Sequence, residues 1–343
     1  GPGILLDASW YVLSKRKKDE EGIYFSITSN QQEKHKQASL EHSFDDVLHN
    51  RKNERVYTLD QSKLKIIEGW PFIYWISDGF REKFRRISLG QVVDIRAGIQ
   101  TSNNDRFLRL WWEVDKENII ENPATDRGKK RWAVYSKGGP YNKWDGNLWC
   151  IIDWKNDGEY LQKYLHSVGQ DLHAQEYYFT EGITYSASGS KGVSFRNLPD
   201  CCLFDIGGSS IFRTHKISSV QYLLGLLNSK LTFYITDCLN PTVNVQPQDL
   251  KRIPFAQPEK SQEESVSILS SENIEIKKHL NSYRITETNF NKNPLTAFSE
   301  QTLKDRLLEY LNYKNAQLTQ VLLNEAIINQ LIFEVYELSP EDR

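Results

Sequence analysis

Apolar and polar positions in the first 85 residues predict a short strand pair, a helix and an aromatic connector. Apolar runs at Ile4–Leu13 and Ile23–Ile27 flank a charged turn, which is typical of two strands. An amphipathic helix follows, because apolar side chains recur at helical spacing at Leu40, Phe44, Val47 and Leu48. Residues 67–80 mix Gly, Pro and aromatic side chains, and we expect them to form a connector packed on a larger body.

The pattern changes at residue 86 to that of strands. From Ile87 to Asp205, β-branched and aromatic runs alternate with Gly, Asn and Asp about every ten residues. Glu181–Ser186 and Ser190–Arg196 predict paired strands with a polar tip. Cys202–Ser210 predicts a strand and a glycine turn; a nucleotide loop would need an acidic residue for the ribose, and residues 207–235 contain no Asp or Glu. Ser218–Thr236 predicts one helix.

Residues 257–343 have a helical pattern throughout. Ser261 with Glu264 matches a capping box and predicts a helix start. Two further helices are predicted from apolar stripes that pack the helices on each other or on the remainder of the protein. The first stripe is Leu303, Leu307, Leu308 and Leu311, and the second is Leu318, Val321, Leu322, Ile328, Leu331, Ile332 and Val335. The chain is thus predicted to be α+β: a helical connector ending at residue 85, a mixed β-rich domain at 86–256 and a C-terminal helical region at 257–343.

Charge is balanced overall and uneven along the chain. The sequence has 43 Lys plus Arg and 45 Asp plus Glu, so it lacks a global basic character. Residues 81–143, however, carry a net charge of +6, whereas residues 257–343 carry −5. This asymmetry is compatible with a nucleic-acid-binding face beside a non-binding region, although charge runs are also common on solvated surfaces.

Cysteine usage and hydropathy indicate a cytoplasmic protein. The four cysteines lack C-x-x-C spacing and are expected to be free thiols, with no metal site. No apolar run reaches the length of a membrane span, and the N-terminus does not resemble a signal peptide, so no membrane partner is predicted.

Residues 98–114 combine side chains suited to contacting base edges. A glycine turn leads into amide and hydroxyl side chains and then into a predicted aromatic strand. Asn and Gln can pair with adenine, and Arg with guanine. The alternative is an Asx-rich turn followed by an ordinary strand with exposed arginines. The candidates for base contact are Gln100, Asn103, Asn104 and Arg106, and Thr101 is a further candidate for DNA binding.

A glycine-rich basic loop, KGGPYNKWDGN at 137–147, is the second candidate site. Its backbone N–H groups and lysines could hold phosphates, and a plain β-turn is the alternative. The candidates for phosphate contact are Arg109, Lys137, Lys143, Lys191 and Arg196.

Several motifs, in this order, resemble the target-recognition part of the adenine-specific DNA methyltransferases of BREX phage-defence systems, the PglX family. They are GIQTSNNDRFLR at 98–109, the 137–147 loop, FTEGITYS at 179–186, LGLLNSK at 224–230 and LNPTVNVQ at 239–246. Type I restriction specificity subunits have similar recognition domains. The resemblance implies that residues from about Ser88 to Phe255 recognise a short double-stranded DNA site and present one adenine for flipping. It also implies that residues 1–85 are the end of the methyltransferase domain and its connector, and that 86–256 is the DNA target-recognition domain.

The catalytic motif of that family is absent from this sequence. The family has Asn-Pro-Pro-aromatic, whereas Asn122, Asn240 and Asn293 are each followed by a single proline. The resemblance therefore implies no methylation by this chain alone, no cofactor within it, and S-adenosylmethionine in the full-length parent. Expected partners are DNA and the methyltransferase domain of the same polypeptide, with other BREX proteins or a phage inhibitor as further candidates. The alternative functions are a protein-interaction scaffold and a specificity-subunit-like protein.

Overall fold

The computed structural model describes residues 21–27, 33–189, 191–214, 219–242 and 244–343. The predicted strand Ile4–Leu13 lies outside the described residues, as do Ser190 and Ser218 at the starts of two other predicted elements. The chain divides into two compact units, residues 1–77 and 78–343.

The first unit contains one strand pair and one long helix. Strand β1 (Glu21–Phe25) pairs antiparallel with β2 (Val56–Asp60), and helix α1 (Glu33–Leu48) lies between them in sequence. Aromatic rings stack in this unit, with centroids 4.7 Å apart for Tyr24 and Tyr74. Strand β1 and helix α1 confirm the second predicted strand and the predicted amphipathic helix.

The second unit contains two sheets and the remaining helices. The strands are β3 (Val93–Arg96), β4 (Leu108–Leu110), β5 (Ile119–Ile120), β6 (Trp132–Ser136), β7 (Cys150–Asp153), β8 (Gly182–Tyr185), β9 (Phe195–Leu198), β10 (Cys202–Phe204) and β11 (Ser210–Arg213). One sheet has the order β10-β6-β7-β4, with β5 also paired to β6, and the other has the order β3-β11-β8-β9. The predicted pairing of two strands here is confirmed by β8 and β9, which are antiparallel with Tyr185 opposite Phe195. The second strand lies at 195–198, later than the predicted 190–196.

The first sheet is covered on both faces, which explains its nearly continuous apolar strands. Five short helices accompany the sheets: α2 (Asp78–Glu82), α3 (Asn104–Phe107), α4 (Pro123–Asp126), α5 (Lys155–Ser167) and α8 (Pro247–Lys251). Leu161 and Leu165 of α5 pack with Tyr135 in one core cluster. Phe212 of the second sheet packs with Val134 in another cluster. Every residue of β6 is consequently buried.

The predicted single helix at 218–236 is wrong, because the structure has two. Helix α6 (Val220–Leu227) and helix α7 (Lys230–Leu239) are separated by Asn228 and Ser229. The Asn228 side chain is held by the backbone of Phe195, donating to its oxygen at 3.0 Å and accepting from its nitrogen at 3.1 Å. Ser229 then accepts a hydrogen bond as the N-cap of α7.

The C-terminal region differs from the prediction in its helix boundaries. Helix α9 (Lys260–Asn281) starts with a capping box of Glu259 and Gln262, two residues before the predicted box of Ser261 and Glu264. A short helix, α10 (Pro294–Ala297), follows. The two helices predicted after residue 300 form one helix, α11 (Leu303–Val335), since no Gly or Pro interrupts residues 303–335.

Only the second half of α11 contributes buried side chains. These are Val321, Asn324, Ile328, Ile332 and Val335. The four leucines at 303, 307, 308 and 311, predicted to form a core stripe, are instead 67%, 45%, 47% and 40% exposed.

The predicted α+β class with a C-terminal helical region is confirmed. All four cysteines are free, as the sequence predicted. Among the described residues, no helix combines the length and the apolar character needed to cross a bilayer.

Candidate nucleic-acid interface

Loops from both sheets meet at one end of the second unit. The Ile99 amide donates to Phe204 O at 2.8 Å, and the Ala187 amide donates to Gly207 O at 3.3 Å. The Val245 amide donates to Ala187 O at 2.8 Å, which adds the segment after α7. We call segments 98–100, 137–139, 186–189, 205–208 and 244–245 the loop cluster.

Two glycines allow this close approach of backbones. A Cβ atom on Gly98 would lie 1.9 Å from Phe204 O, and one on Gly208 would lie 2.8 Å from Gly138 N. Any other residue at these positions would force the strands and loops apart. The predicted glycine turns at 98 and 207–208 are therefore packing requirements of the loop cluster.

A buried tyrosine anchors the cluster from inside. The Tyr135 hydroxyl lies 2.8 Å from Ile99 O and 2.7 Å from Asp205 Oδ2. The other carboxylate oxygen of Asp205 accepts the Gly207 amide at 2.6 Å. Burial, with the Asp205 charge as a second cause, raises the pKa of Tyr135 well above its usual value. The phenol therefore stays protonated and remains a donor.

Gln100 and Lys137 belong to segments of the loop cluster, and Lys191 lies two residues after its segment 186–189. Gln100 and Lys191 are exposed, and Lys137 is half-buried. Their side chains form no hydrogen bond or ion pair with the described residues, so they are available to an external ligand. Asn244 is exposed in the same cluster beside Ser188, and the sequence alone did not single it out as a contact residue.

Arg106 occupies a second position and is held by aromatic rings. Its guanidinium carbon lies 4.6 Å from the centroid of Tyr160 and 4.8 Å from that of Tyr164. Its Nε donates to the Tyr160 hydroxyl at 2.7 Å. Cation–π contacts of this kind fix an exposed guanidinium in one orientation. The sequence analysis did not identify Tyr160 and Tyr164 as site residues, although their four-residue spacing places both on one face of α5.

The neighbouring polar residues mainly hold their own backbone. Asn103 is the N-cap of α3 and accepts the Arg106 amide at 3.1 Å. Thr101 is buried and donates to Asn104 Oδ1 at 2.6 Å, while Arg109 donates to Asp105 O at 2.7 Å. Arg106 thus lies on a one-turn helix and not on the predicted strand. The alternative prediction, an Asx-rich turn, fits Asn103, whose side chain accepts a backbone amide.

The second half of the 137–147 loop is buried against the C-terminal helices. The Trp144 indole is 1% exposed and donates to Glu325 Oε1 at 2.7 Å. Lys143 Nζ donates to Asn228 O at 3.1 Å and lies 3.4 Å from Glu325 Oε2. A phosphate would have to break this ion pair to reach Lys143.

Arg196 does not fit its predicted phosphate contact, because it is buried. Its guanidinium donates to Asn142 O at 3.4 Å and to Ser186 Oγ at 3.3 Å, which links two loops from within. Desolvation lowers the pKa of Arg196 to about 10, although the Glu287 and Asp145 carboxylates oppose that effect. We assign Arg196 a structural role beneath the loop cluster.

Comparison with known proteins shows similarity over nearly the whole chain to two methyltransferases. The adenine-specific methyltransferase PglX of Lacticaseibacillus casei (strain Zhang) is 27% identical, across 99% of this chain and 29% of its own length. The adenine-specific methyltransferase BrxX of Escherichia coli O9:H4 (strain HS) is 28% identical, across 97% of this chain and 26% of its own length. The chain therefore spans less than a third of these relatives, and the matched region is their C-terminal part. The family resemblance predicted from the motifs is confirmed.

Two other comparisons add little. No protein-family model matches the chain. A solved structure of the Type IIL restriction-modification enzyme MmeI in complex with DNA aligns with a TM-score of 0.43 and 11% identity, covering 74% of this chain and 34% of that one. This score is too low to establish a shared fold.

Proposed function

We propose that this chain is the double-stranded-DNA recognition part of a site-specific adenine methyltransferase of a BREX defence system. The observation that carries the proposal is the similarity to PglX and BrxX along 97–99% of the chain. The chain corresponds to a minor part of those proteins and lacks the Asn-Pro-Pro-aromatic motif. We therefore assign S-adenosylmethionine binding and methyl transfer to the remainder of the full-length protein.

The side chains of the loop cluster suit contacts with bases and phosphates. Gln100 offers an amide that can pair with an adenine edge. Lys137 and Lys191 are cations without a described carboxylate partner, and such groups gain affinity by releasing counterions from DNA. Arg106, oriented by Tyr160 and Tyr164, is the candidate for a bidentate contact with guanine. Asn103 and Asn104 stay as base-contact candidates through their amide groups.

A duplex-binding series tests the proposal. Fluorescence anisotropy across a salt series should show tight binding of a selected duplex by the unmodified chain. The double variant K137Q/K191Q should weaken binding to all sequences and reduce the log–log salt slope by about 0.9 for each lost phosphate contact. Arg106→Ala should instead relax specificity at one base pair, at a cost of about 1–3 kcal/mol.

The control is the double variant K260Q/K304Q, which removes the same charge from exposed lysines of the helical region. It should leave the slope unchanged. Equal slopes for both double variants would contradict a DNA-contacting role of the loop cluster.

A protein-docking role is the second candidate function. It is favoured by the exposed leucines at 303, 307, 308 and 311 on the first half of α11. Absence of duplex binding at low salt by both this chain and its full-length parent would favour docking over DNA recognition.

A further inference from the structure

A cleft of about 560 Å³ lies where the C-terminal region meets the β-rich part of the second unit. It is formed by the last turns of α9, the segment 289–292 and one residue from the β-rich part. The lining residues are Lys116, Glu275, Lys278, His279, Ser282, Tyr283, Asn289, Phe290, Asn291 and Lys292. The charge distribution along the sequence had suggested that residues 257–343 do not bind nucleic acid.

The walls of the cleft are fixed by contacts between the two regions. The Trp111 indole donates to Ile285 O at 3.1 Å, and the Thr288 amide donates to Leu148 O at 3.0 Å. The buried carboxylate of Glu287 accepts the backbone amides of Asn147 at 3.1 Å and Leu148 at 2.9 Å. Since these bonds hold the segment after α9, the cleft is preformed and a ligand would not have to order it.

Within the cleft, hydrogen bonds also fix the segment 289–292. The Asn289 amide group donates to Lys278 O at 2.9 Å, and the Asn291 backbone amide donates to Ser282 O at 2.9 Å. Both bonds join the segment to the end of α9. Lys278 and Lys292 therefore belong to two segments that are hydrogen-bonded to each other.

The lysines of the cleft lack partners, unlike many other cations of this unit. Lys116, Lys278 and Lys292 are exposed, and none forms an ion pair with a described residue. Elsewhere, Arg131 lies 2.6 Å from Asp153 and Lys163 lies 2.5 Å from Glu159. Among the described residues that line the cleft, Glu275 is the only carboxylate, so the local charge is positive within a region that is acidic overall.

The donor set favours phosphate over carboxylate as the ligand. The planar fork of arginine suits carboxylate and phosphate alike, and no arginine is among the described residues that line the cleft, so its positive charge comes from lysines. Lysines act as point charges and are common phosphate binders. The Asn291 side-chain amide supplies a further donor for a group with several acceptor oxygens, whereas the Ser282 hydroxyl already donates to His279 O at 2.7 Å.

We infer that this cleft binds backbone phosphates of the nucleic acid, outside the loop cluster. The inference rests on the proposed function for its ligand and extends it, because it places a sequence-independent contact on the C-terminal region. Phosphate contacts fix the position of a protein on DNA without specifying sequence. The bound duplex is then held at this cleft as well, while base selectivity comes from the loop cluster and Arg106.

The first test measures duplex binding by the full chain. The double variant K278Q/K292Q should lose affinity equally for cognate and random duplexes, with a salt slope reduced by about 0.9 for each lost contact. The matched variant K260Q/K304Q, which removes the same charge from α9 and α11 outside the cleft, should keep the slope of the unmodified chain.

The second test does not depend on DNA binding. Titration with inorganic phosphate, followed by amide chemical shifts, should move the resonances of residues 289–292, and K278Q/K292Q should abolish the shift. If the unmodified chain fails to bind duplex while phosphate still moves these resonances, the proposed function fails and the anion site remains. If K278Q/K292Q keeps the full salt slope, or if poly-glutamate moves these resonances as strongly as phosphate does, the inference is overturned.

Discussion

Asp145 is a buried carboxylate at the junction of the β-rich part and the C-terminal helices. It is 6% exposed, and Asn281 donates to its Oδ2 at 2.9 Å. Burial, aided by the nearby Glu287 charge, raises the pKa of Asp145 from 3.8 to about 6. An ionised Asp145 therefore costs stability in the folded chain, and the sequence, in which the residue belongs to a Trp-Asp-Gly turn, gave no sign of this.

This residue predicts a specific pH dependence of stability. Between about pH 4 and pH 6 the folded chain holds a proton on Asp145 that the unfolded chain has lost, so the free energy of unfolding falls as pH rises. A shift of this size corresponds to about 3 kcal/mol at most. Asp145→Asn should remove this component, and urea unfolding of both chains at pH 4, 5, 6 and 7 would measure it. Parallel stability curves for the two chains would contradict the assignment.

Also at the residue scale, the sequence showed which residues have side chains suited to DNA contact, but not which of those side chains are already bonded within the fold. Gln100 and Lys137 in the loop cluster, and Lys191 just after its segment 186–189, form no hydrogen bond or ion pair with the described residues, as a contact role requires. Lys143 and Arg196 are also cations, yet Lys143 is paired with Glu325 and Arg196 is buried, so neither side chain is available to an external ligand. Whether a cation is available depends on partners far away in sequence, which residue type cannot reveal.

At the scale of elements, helix α11 and the 137–147 loop stabilise each other. Glu325 of α11 accepts the buried Trp144 indole at 2.7 Å and pairs with Lys143. The glycine-rich composition of the loop suggested a phosphate-binding loop. In the structure, the second half of the loop packs against helix α11 instead. The sequence did not connect Trp144 to a glutamate 181 residues later.

Removing this acceptor should destabilise the fold. Glu325→Ala leaves the Trp144 indole N–H buried without a partner, which costs about 1–3 kcal/mol. Urea unfolding should show that loss. Glu309→Ala, on the same helix at an exposed position, should change stability little and serves as the matched control. Equal stabilities of the two variants would show that the Trp144 contact contributes nothing.

Helix boundaries illustrate why some elements were predicted and others were not. Helix α1 and the hairpin of β8 and β9 follow directly from local periodicity. The break between α6 and α7 depends on Asn228 bonding to Phe195, a tertiary contact across 33 residues of sequence. Local pattern alone therefore favoured one helix where the fold required two.

At the scale of the molecule, both proposed DNA contacts lie within residues 78–343, the second compact unit. A chain of residues 78–343 should therefore keep its duplex affinity and salt slope. Circular dichroism would verify that it is folded, and anisotropy would measure binding. A folded 78–343 chain without duplex affinity would show that residues 1–77 contribute part of the surface.

The sequence by itself determined the strand-rich middle region, the helical C-terminal region, the glycine turns and the family resemblance, because each depends on local periodicity or on motifs in a fixed order. The tertiary structure decided which cations remain available. Ion pairing and burial depend on packing between distant segments, as Glu325 with Lys143 and the docked segment after α9 illustrate. For the same reason, the cleft of Lys116, Lys278 and Lys292 became visible only when residues more than 150 positions apart were brought together by the fold.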